Sequence, residues 1–225
     1  MKLDVVRKVA SKIRKHHLKK YKRDDRFQSD VSIISNNCLA GILYSDFDLQ
    51  FMSPTINLTF GQNSDFFHFV NNLKDYCKHG SLTYLKEENE HPGFIGSPVA
   101  TLSCENLPDI EIHFLHYKSF DNAKESWERR CKRINYDKVF VVIEAQTEYE
   151  KTMIDHYKAF KYPLIIFTDI DSPFACCKNM KFYKTHGTGI NCPILKFVSI
   201  TGKRGFDEFD FAHNIFFRNY DELDV

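Results

Sequence analysis

Residues 110–168 alternate short apolar runs with amphipathic segments. The apolar runs are IEIHFL at 110–115, KVFVVIE at 138–144 and PLIIFT at 163–168. The segments between them predict helices over 120–134, where Ser119 is the cap, and over 148–160, where Thr147 and Glu150 form a capping box. Strands and helices in this order favour right-handed crossovers. The sequence therefore predicts an α/β fold with a mainly parallel sheet and flanking helices, arranged as one or two α/β subdomains.

Further elements are expected outside this region. The run at 31–35 predicts a strand, residues 64–77 predict one helix capped by Ser64 or Asn63, and residues 194–200 predict another strand. Residues 79–108 are rich in glycine and proline, which indicates irregular structure with room for a hairpin. After a polar linker, residues 30–225 have the length of one ordinary domain.

The first 23 residues form a separate, strongly basic segment. They carry ten Lys or Arg against one acid, Asp4, a net charge of +9, whereas the whole chain carries +1. Apolar residues recur within this segment at spacings of three and four, which gathers them on one helical face. They are Leu3, Val6, Val9, Ala10 and Ile13. Residues 1–23 thus predict a basic amphipathic helix.

Such a helix suits three roles. It binds an anionic membrane surface, it docks on its own domain, or it contacts nucleic acid. Membrane binding is the preferred interpretation and nucleic-acid binding is not expected, because the other 202 residues carry a net charge of −8. No run approaches the roughly 18–20 apolar residues of a spanning helix, and the seven cysteines include no C-x-x-C pair. We therefore expect a cytoplasmic protein that is peripheral to the inner face of the plasma membrane.

Ligands of open parallel sheets bind at the carboxyl ends of the strands. This rule selects Asn36, Asn37 and Cys38, which follow the first predicted strand, as substrate-binding residues. Asparagine amides can hold a sugar hydroxyl or a phosphate oxygen. The alternative is that the asparagines only shape the turn. A nucleophilic role for Cys38 would require a partner that lowers its pKa.

The second predicted strand ends in further polar residues. His116 is the preferred general base toward an acceptor hydroxyl, with His113 or Glu111 as alternatives, because the ordinary pKa of histidine lies near neutral pH. Tyr117 and Lys118 follow as substrate-binding candidates. A hydrogen-bonded structural role remains the alternative for each strand histidine.

The helix predicted over 120–134 ends with several cations. Arg129 and Arg133 lie four residues apart, with Arg130 between them, and guanidinium groups bind phosphate in a bidentate manner. These arginines are therefore predicted to hold the donor phosphates. Favourable interaction with the helix dipole is the alternative explanation for the cations.

The last predicted strand of the alternating region ends in a D-x-D pattern. Asp169 and Asp171 could share Mg²⁺ or Mn²⁺, which would neutralise the diphosphate of a nucleotide sugar. The alternative is a turn, since a Ser-Pro pair follows Asp171.

Four ordered blocks carry a family resemblance. They are SIISNNC at 32–38 with Gly41, SPTINL at 53–58, DIEIHFLHYKS at 109–119, and WERR at 127–130 with RIN at 133–135. Together they resemble the DUF1919 family over roughly residues 30–168. The resemblance implies a two-part α/β fold and a role in bacterial exopolysaccharide or capsule biosynthesis. Asn135, in the last block, joins the substrate-binding candidates.

These observations predict a transferase that moves a sugar from a nucleotide-activated donor to a lipid-linked saccharide acceptor at the membrane. Two alternatives stay open: a phosphotransferase that adds a phosphate-containing substituent, and a non-catalytic glycan-binding or scaffold protein of the assembly complex. The sequence contains neither a P-loop nor a G-x-G-x-x-G motif, so the nucleotide chemistry of those folds is not expected.

Overall fold

The computed structural model describes residues 2–90, 94–145, 154–157, 159–168, 180–184, 197, 199, 201–207 and 209–221. Within them the chain forms two four-stranded β-sheets with helices packed beside them. No helix in this part of the chain combines the length and the apolar character needed to cross a bilayer. The predicted capping residues Thr147 and Glu150, and most of the strand predicted over 194–200, lie outside the described residues.

The first sheet is wholly parallel. Its strands lie in the order β1-β6-β7-β8, with the bounds Ser32–Ser35, Val139–Ala145, Leu164–Thr168 and Met180–Lys184. Every residue of β1, β6 and β7 is buried, as expected for strands that are covered on both faces. The strands predicted at 31–35, 138–144 and 163–168 are therefore confirmed.

The second sheet is antiparallel, so the prediction of a mainly parallel sheet is wrong. Its strands lie in the order β2-β5-β4-β3, with the bounds Thr59–Phe60, Ile110–His113, Pro98–Ser103 and Ser81–Glu87. β5 belongs here because only one of its faces is apolar: Ile110 and Ile112 are buried, while Glu111 and His113 alternate with them. The paired strands β3 and β4 occupy the region that was expected to be irregular with a hairpin.

The helices flank these sheets. They are α1 (Lys2–Leu18), α2 (Leu39–Asp46), α3 (Asn63–Asn71), α4 (Leu73–His79), α5 (Phe120–Cys131) and α6 (Ile154–Tyr157). The single helix predicted over 64–77 is instead two, because Asn72 has non-helical backbone angles of φ −116° and ψ 32°. The N-cap of α3 is Gln62 rather than Ser64 or Asn63. Ser119 caps α5 as predicted, and its Oγ accepts a hydrogen bond from the backbone N–H of Asn122 at 3.3 Å.

Two apolar clusters cover opposite faces of the parallel sheet. The first packs residues such as Val141 against Ile112 of the antiparallel sheet and Trp127 of α5. The second packs residues such as Val142 against α2 and a group of C-terminal aromatic side chains. That group includes Phe206, Phe209, Phe211 and Phe216. The parallel sheet is thus the centre of the molecule, and the C-terminal segment closes its outer face.

Helix α1 is docked on the body through buried ion pairs. Arg14 is 7% exposed, and its Nε donates to Oδ2 of Asp46 at 2.5 Å. The two terminal nitrogens of Arg14 donate to the two carboxylate oxygens of Asp207 at 2.5 and 2.7 Å, and one of them also donates to the carbonyl of Gly202 at 3.1 Å. Arg204 reaches the same Asp46 carboxylate at 2.8 Å. Burial alone lowers the pKa of Arg14, but Asp207 and Asp46 more than offset this effect and raise it.

Candidate functional site

The two asparagines after β1 bridge it to β6. The side-chain amide of Asn36 donates to the carbonyl of Glu144 at 2.9 Å and accepts from its backbone N–H at 3.0 Å. Nδ2 of Asn37 donates to the Glu144 carboxylate at 2.6 Å, and Oδ1 of Asn37 accepts from the N–H of Leu39 at the start of α2. Both side chains therefore have protein partners, and together they fix the buried Glu144 at the carboxyl edge of the parallel sheet.

Cys38 follows these asparagines at the start of α2. Burial raises the pKa of the Cys38 thiol to about 11. The thiol is therefore protonated at neutral pH, and the geometry does not favour Cys38 as a nucleophile.

Two side chains on the outer face of β5, Glu111 and His113, form a chain of ionisable groups with Glu88, which follows β3. Nε2 of His113 lies 2.8 Å from Oε1 of Glu111, and Nδ1 of His113 lies 3.1 Å from Oε2 of Glu88. The second contact has an ion-pair distance but lacks hydrogen-bond alignment. The Glu88 side chain is 7% exposed, whereas that of Glu111 is 37% exposed. The chain thus runs from a buried carboxylate, through an imidazole, to a carboxylate that solvent can reach.

Backbone contacts hold both ends of the Glu88–His113–Glu111 chain. Oε1 of Glu88 accepts from the backbone N–H of Glu90 at 2.8 Å. At the other end, Glu111 covers Gly61, where an added Cβ would lie 2.8 Å from the Cβ of Glu111. The Asp65 carboxylate accepts from the N–H of Glu111 at 3.2 Å. Burial and, to a lesser degree, the negative charge of Glu111 raise the pKa of Asp65.

Thr59 connects the Glu88–His113–Glu111 chain to Asn36. It is the register partner of His113 across β2 and β5, and its Oγ1 donates to the carbonyl of Asn36 at 3.2 Å. The acidic and imidazole groups of β5 therefore adjoin the carboxyl ends of β1 and β6. We take the side chains from Asn36 and Glu144 through Thr59 to the Glu88–His113–Glu111 chain as the candidate site.

Arg130 and Tyr117 form a hydrogen-bonded pair. The hydroxyl of Tyr117 accepts from a terminal nitrogen of Arg130 and donates to the carbonyl of Ile56 at 3.2 Å. The guanidinium carbon of Arg130 lies 5.1 Å from the centre of the Phe51 ring, and the residue is 7% exposed. Within the described part of the chain, Arg130 has no carboxylate partner. A buried guanidinium without a carboxylate partner is suited to bind an anionic ligand.

The other predicted site residues lie apart from these clusters. Arg129 is exposed and donates to Ser126, and Lys118 and His116 are exposed in the turn after β5, where His116 has a φ of 65°. Asn135 donates to Asp30 and, through its backbone N–H, to Ser32 at the start of β1. Asn135 is thus at the opposite end of β1 from Asn36.

Arg133 follows the end of α5 and is partly exposed. The D-x-D aspartates, Asp169 and Asp171, lie outside the described residues. Across the ranges that the structure describes, no three His, Cys, Asp or Glu side chains are arranged to hold a metal ion. The Mg²⁺ or Mn²⁺ site remains a prediction.

Sequence reasoning did not select Glu88, Asp65 or Thr59. Thr59 is in β2, Asp65 is in α3 and Glu88 follows the end of β3, and no local motif connects them with β5. The only available signal was the alternation of polar and apolar residues along β5, which places Glu111 and His113 on one face.

Comparison with known proteins gives the family. The model of a domain of unknown function, DUF1919, matches residues 9–216. The chain belongs to the DUF1919 family. An uncharacterized protein of Haemophilus influenzae is 30% identical over 187 residues, which are 81% of this chain and 82% of that relative. The residues that the DUF1919 model matches include both Arg14 and Asp207, so the segments that dock α1 lie inside the family region.

Proposed function

We propose that this DUF1919 protein is a transferase of bacterial capsular or exopolysaccharide biosynthesis, which moves a sugar from a nucleotide-activated donor to a lipid-linked saccharide acceptor. The observation that carries the proposal is the Glu88–His113–Glu111 chain beside the carboxyl ends of β1 and β6. A partly exposed carboxylate backed by an imidazole is suited to accept a proton from a hydroxyl. Carboxyl strand ends are where open parallel sheets bind ligands.

In this mechanism Glu111 is the general base. Its carboxylate accepts the proton of the acceptor hydroxyl, and the acceptor oxygen forms a bond to the anomeric carbon of the donor sugar. The bond from that carbon to the donor phosphate breaks, and the nucleoside diphosphate leaves with the electron pair. His113 orients the Glu111 carboxylate through the 2.8 Å hydrogen bond of its Nε2, and the Glu88 carboxylate lies 3.1 Å from the other ring nitrogen. This geometry favours Glu111 with His113 over the exposed His116 as the base.

Arg130 is the proposed partner for the charge of the departing phosphate. Its guanidinium is held by Tyr117 and Phe51 and has no carboxylate partner among the described residues. A preorganised cation of this kind stabilises negative charge that develops in the transition state. The divalent cation predicted at Asp169 and Asp171 remains part of the proposal, but no step here depends on it.

Ligand binding is the first test. The protein is screened by thermal shift against UDP- and CDP-activated sugars and alcohols, with and without Mn²⁺. A ligand present at about 100 times its Kd should add about 2.7 kcal/mol of stability. If no member of this panel stabilises the protein or is turned over in the presence of membrane lipid extract, the proposed function is wrong.

Turnover of the donor found in this way tests the base. Glu111→Gln should lower kcat by about 100- to 10,000-fold while the unfolding midpoint changes little. The matched control is Glu87→Gln, an exposed residue next to Glu88, and it should retain full turnover. Wild-type turnover in Glu111→Gln would show that another group is the base.

Two other functions rest on specific observations. Arg130 would equally serve a phosphotransferase, which is recognised by release of a nucleoside monophosphate and by transfer of donor phosphate into the product. A non-catalytic glycan-binding or scaffold role is favoured by Asn36 and Asn37, whose amides already have protein partners. That protein would be stabilised by a glycan and would show no turnover.

A further inference from the structure

Helix α1 has one face that the body uses and one that it leaves open. Ala10 is 1% exposed and Arg14 is 7% exposed, and Leu18 packs beside the C-terminal aromatic cluster. These three residues follow one another at intervals of four, so they define a single docked face. The helix is therefore part of the folded domain.

Apolar side chains also occupy the opposite face. Val5 is 57% exposed and Val9 is 49% exposed, although valine is usually buried. At 3.6 residues per turn, Val5 and Val9 project about 180° and 140° from the middle of the docked face. The body cannot cover these valines without giving up the buried contacts of Arg14.

Cations surround the two valines. By the same helical geometry Lys8, Lys12 and Lys15 project to the outward side, and Lys8 and Lys12 are exposed. The acidic residue of the first 23 positions is Asp4, and the rest of the chain carries −8. The outward face thus combines apolar side chains with a concentrated positive charge. We call Val5, Lys8, Val9 and Lys12 the outward face of α1.

We infer that this outward face binds an anionic lipid surface while the docked face stays attached to the body. An anionic bilayer can interact with both kinds of side chain on this face. Its negatively charged headgroups attract the lysines, and the region where headgroups meet acyl chains can bury the valines. Nucleic acid provides phosphates but no apolar phase for Val5 and Val9, so it fits the face less well. Because Arg14 ties α1 to Asp46 and Asp207, the bound helix would hold the whole domain in one orientation. This inference does not rest on the proposed transferase activity.

Vesicle co-sedimentation of the full-length protein tests the inference. The probes are phosphatidylglycerol–phosphatidylcholine vesicles and pure phosphatidylcholine vesicles. Wild-type protein should sediment with the first and remain largely in solution with the second. The Val5→Ser, Val9→Ser double variant should bind the anionic vesicles at least about tenfold more weakly, and Lys8→Glu, Lys12→Glu should bind still more weakly.

Matched controls separate the outward face from exposed residues in general. Leu85 on β3 is 49% exposed, like Val9, and Lys86 follows it, so Leu85→Ser and Lys86→Glu should bind like wild type. Unfolding midpoints equal to that of wild type show that α1 remains docked in the outward-face variants. Deletion of α1 is unsuitable because it would leave Asp46 and Asp207 without Arg14.

Three results would overturn the inference. The first is equal sedimentation of wild type with anionic and neutral vesicles. The second is unchanged binding by both outward-face variants. The third is binding of single-stranded RNA by wild type without binding of anionic vesicles, which would assign the face to nucleic acid.

Discussion

The substitution Asp46→Asn should destabilise the protein strongly although it replaces only one carboxylate oxygen with an amide nitrogen. Asp46 is 2% exposed and accepts hydrogen bonds from Arg14 at 2.5 Å and from Arg204 at 2.8 and 3.1 Å. Removal of one partner from a buried ion pair costs about 3–5 kcal/mol, because the remaining charge has lost its solvation without compensation. Arg14 keeps its contacts with Asp207, so we expect the lower end of this range, about 3 kcal/mol.

Urea denaturation measures this loss. With a slope of about 3 kcal/mol per molar urea, the midpoint should fall by about 1 M. Asp48→Asn is the matched control two residues away, because Asp48 is 68% exposed and lies 3.9 Å from Lys22. Asn also tolerates the φ of 54° at position 48, so the control midpoint should change by less than about 0.2 M. Equal midpoints for the two variants would refute the claim that the buried network stabilises the fold.

Three further predictions concern single residues. The raised pKa of Asp65 means that its protonated form stabilises the fold at low pH, and this contribution is lost as pH rises through the folded-state pKa. The urea midpoint of Asp65→Asn relative to wild type should therefore increase from pH 4 to pH 7. A difference that stays constant with pH would contradict this prediction. Cys38 should be alkylated at pH 7 more than about 100-fold more slowly than free cysteine, as judged by mass spectrometry of its peptide, and rapid labelling would contradict its burial. Gly202→Ala should cost at least about 2 kcal/mol in urea denaturation, because φ is 86° and the new Cβ would lie 2.5 Å from the carbonyl of Ala10. Gly96→Ala, with φ 78° and no atom within 4 Å, separates backbone strain from this clash, and an equal loss in both would exclude the clash.

The parallel sheet could be predicted closely from the sequence. β6 and β7 are buried on both faces, and their sequences are correspondingly continuous apolar runs. The sequence predicts β5 as a strand correctly, but it predicts the wrong kind of sheet for it. The alternation of Ile110, Glu111, Ile112 and His113 is typical of an antiparallel strand with one solvated face. The order of strands and helices around β5 instead favours a parallel sheet, and the prediction follows that order.

The candidate site was only partly predictable. Glu111 and His113 are close in sequence, so their shared face follows from strand geometry. Thr59 approaches them from β2 and Glu88 from the residue after β3, and their contacts depend on strand pairings that no local pattern encodes. Asn36 and Asn135 both belong to the blocks that carry the family resemblance, but only the direction of β1 reveals that the two lie at opposite ends of that strand.

The contact between Arg14 and Asp207 spans 193 residues of sequence. At 5–20 residues per second, a ribosome needs roughly 10–40 s to synthesise the intervening chain. Throughout that time helix α1 of the nascent polypeptide has no access to Asp207, so the face with Ala10 and Arg14 and the outward face are both open to the surroundings. Translation order therefore gives the basic helix a period in which its docked face is uncovered, before the segment that carries Asp207 closes on it.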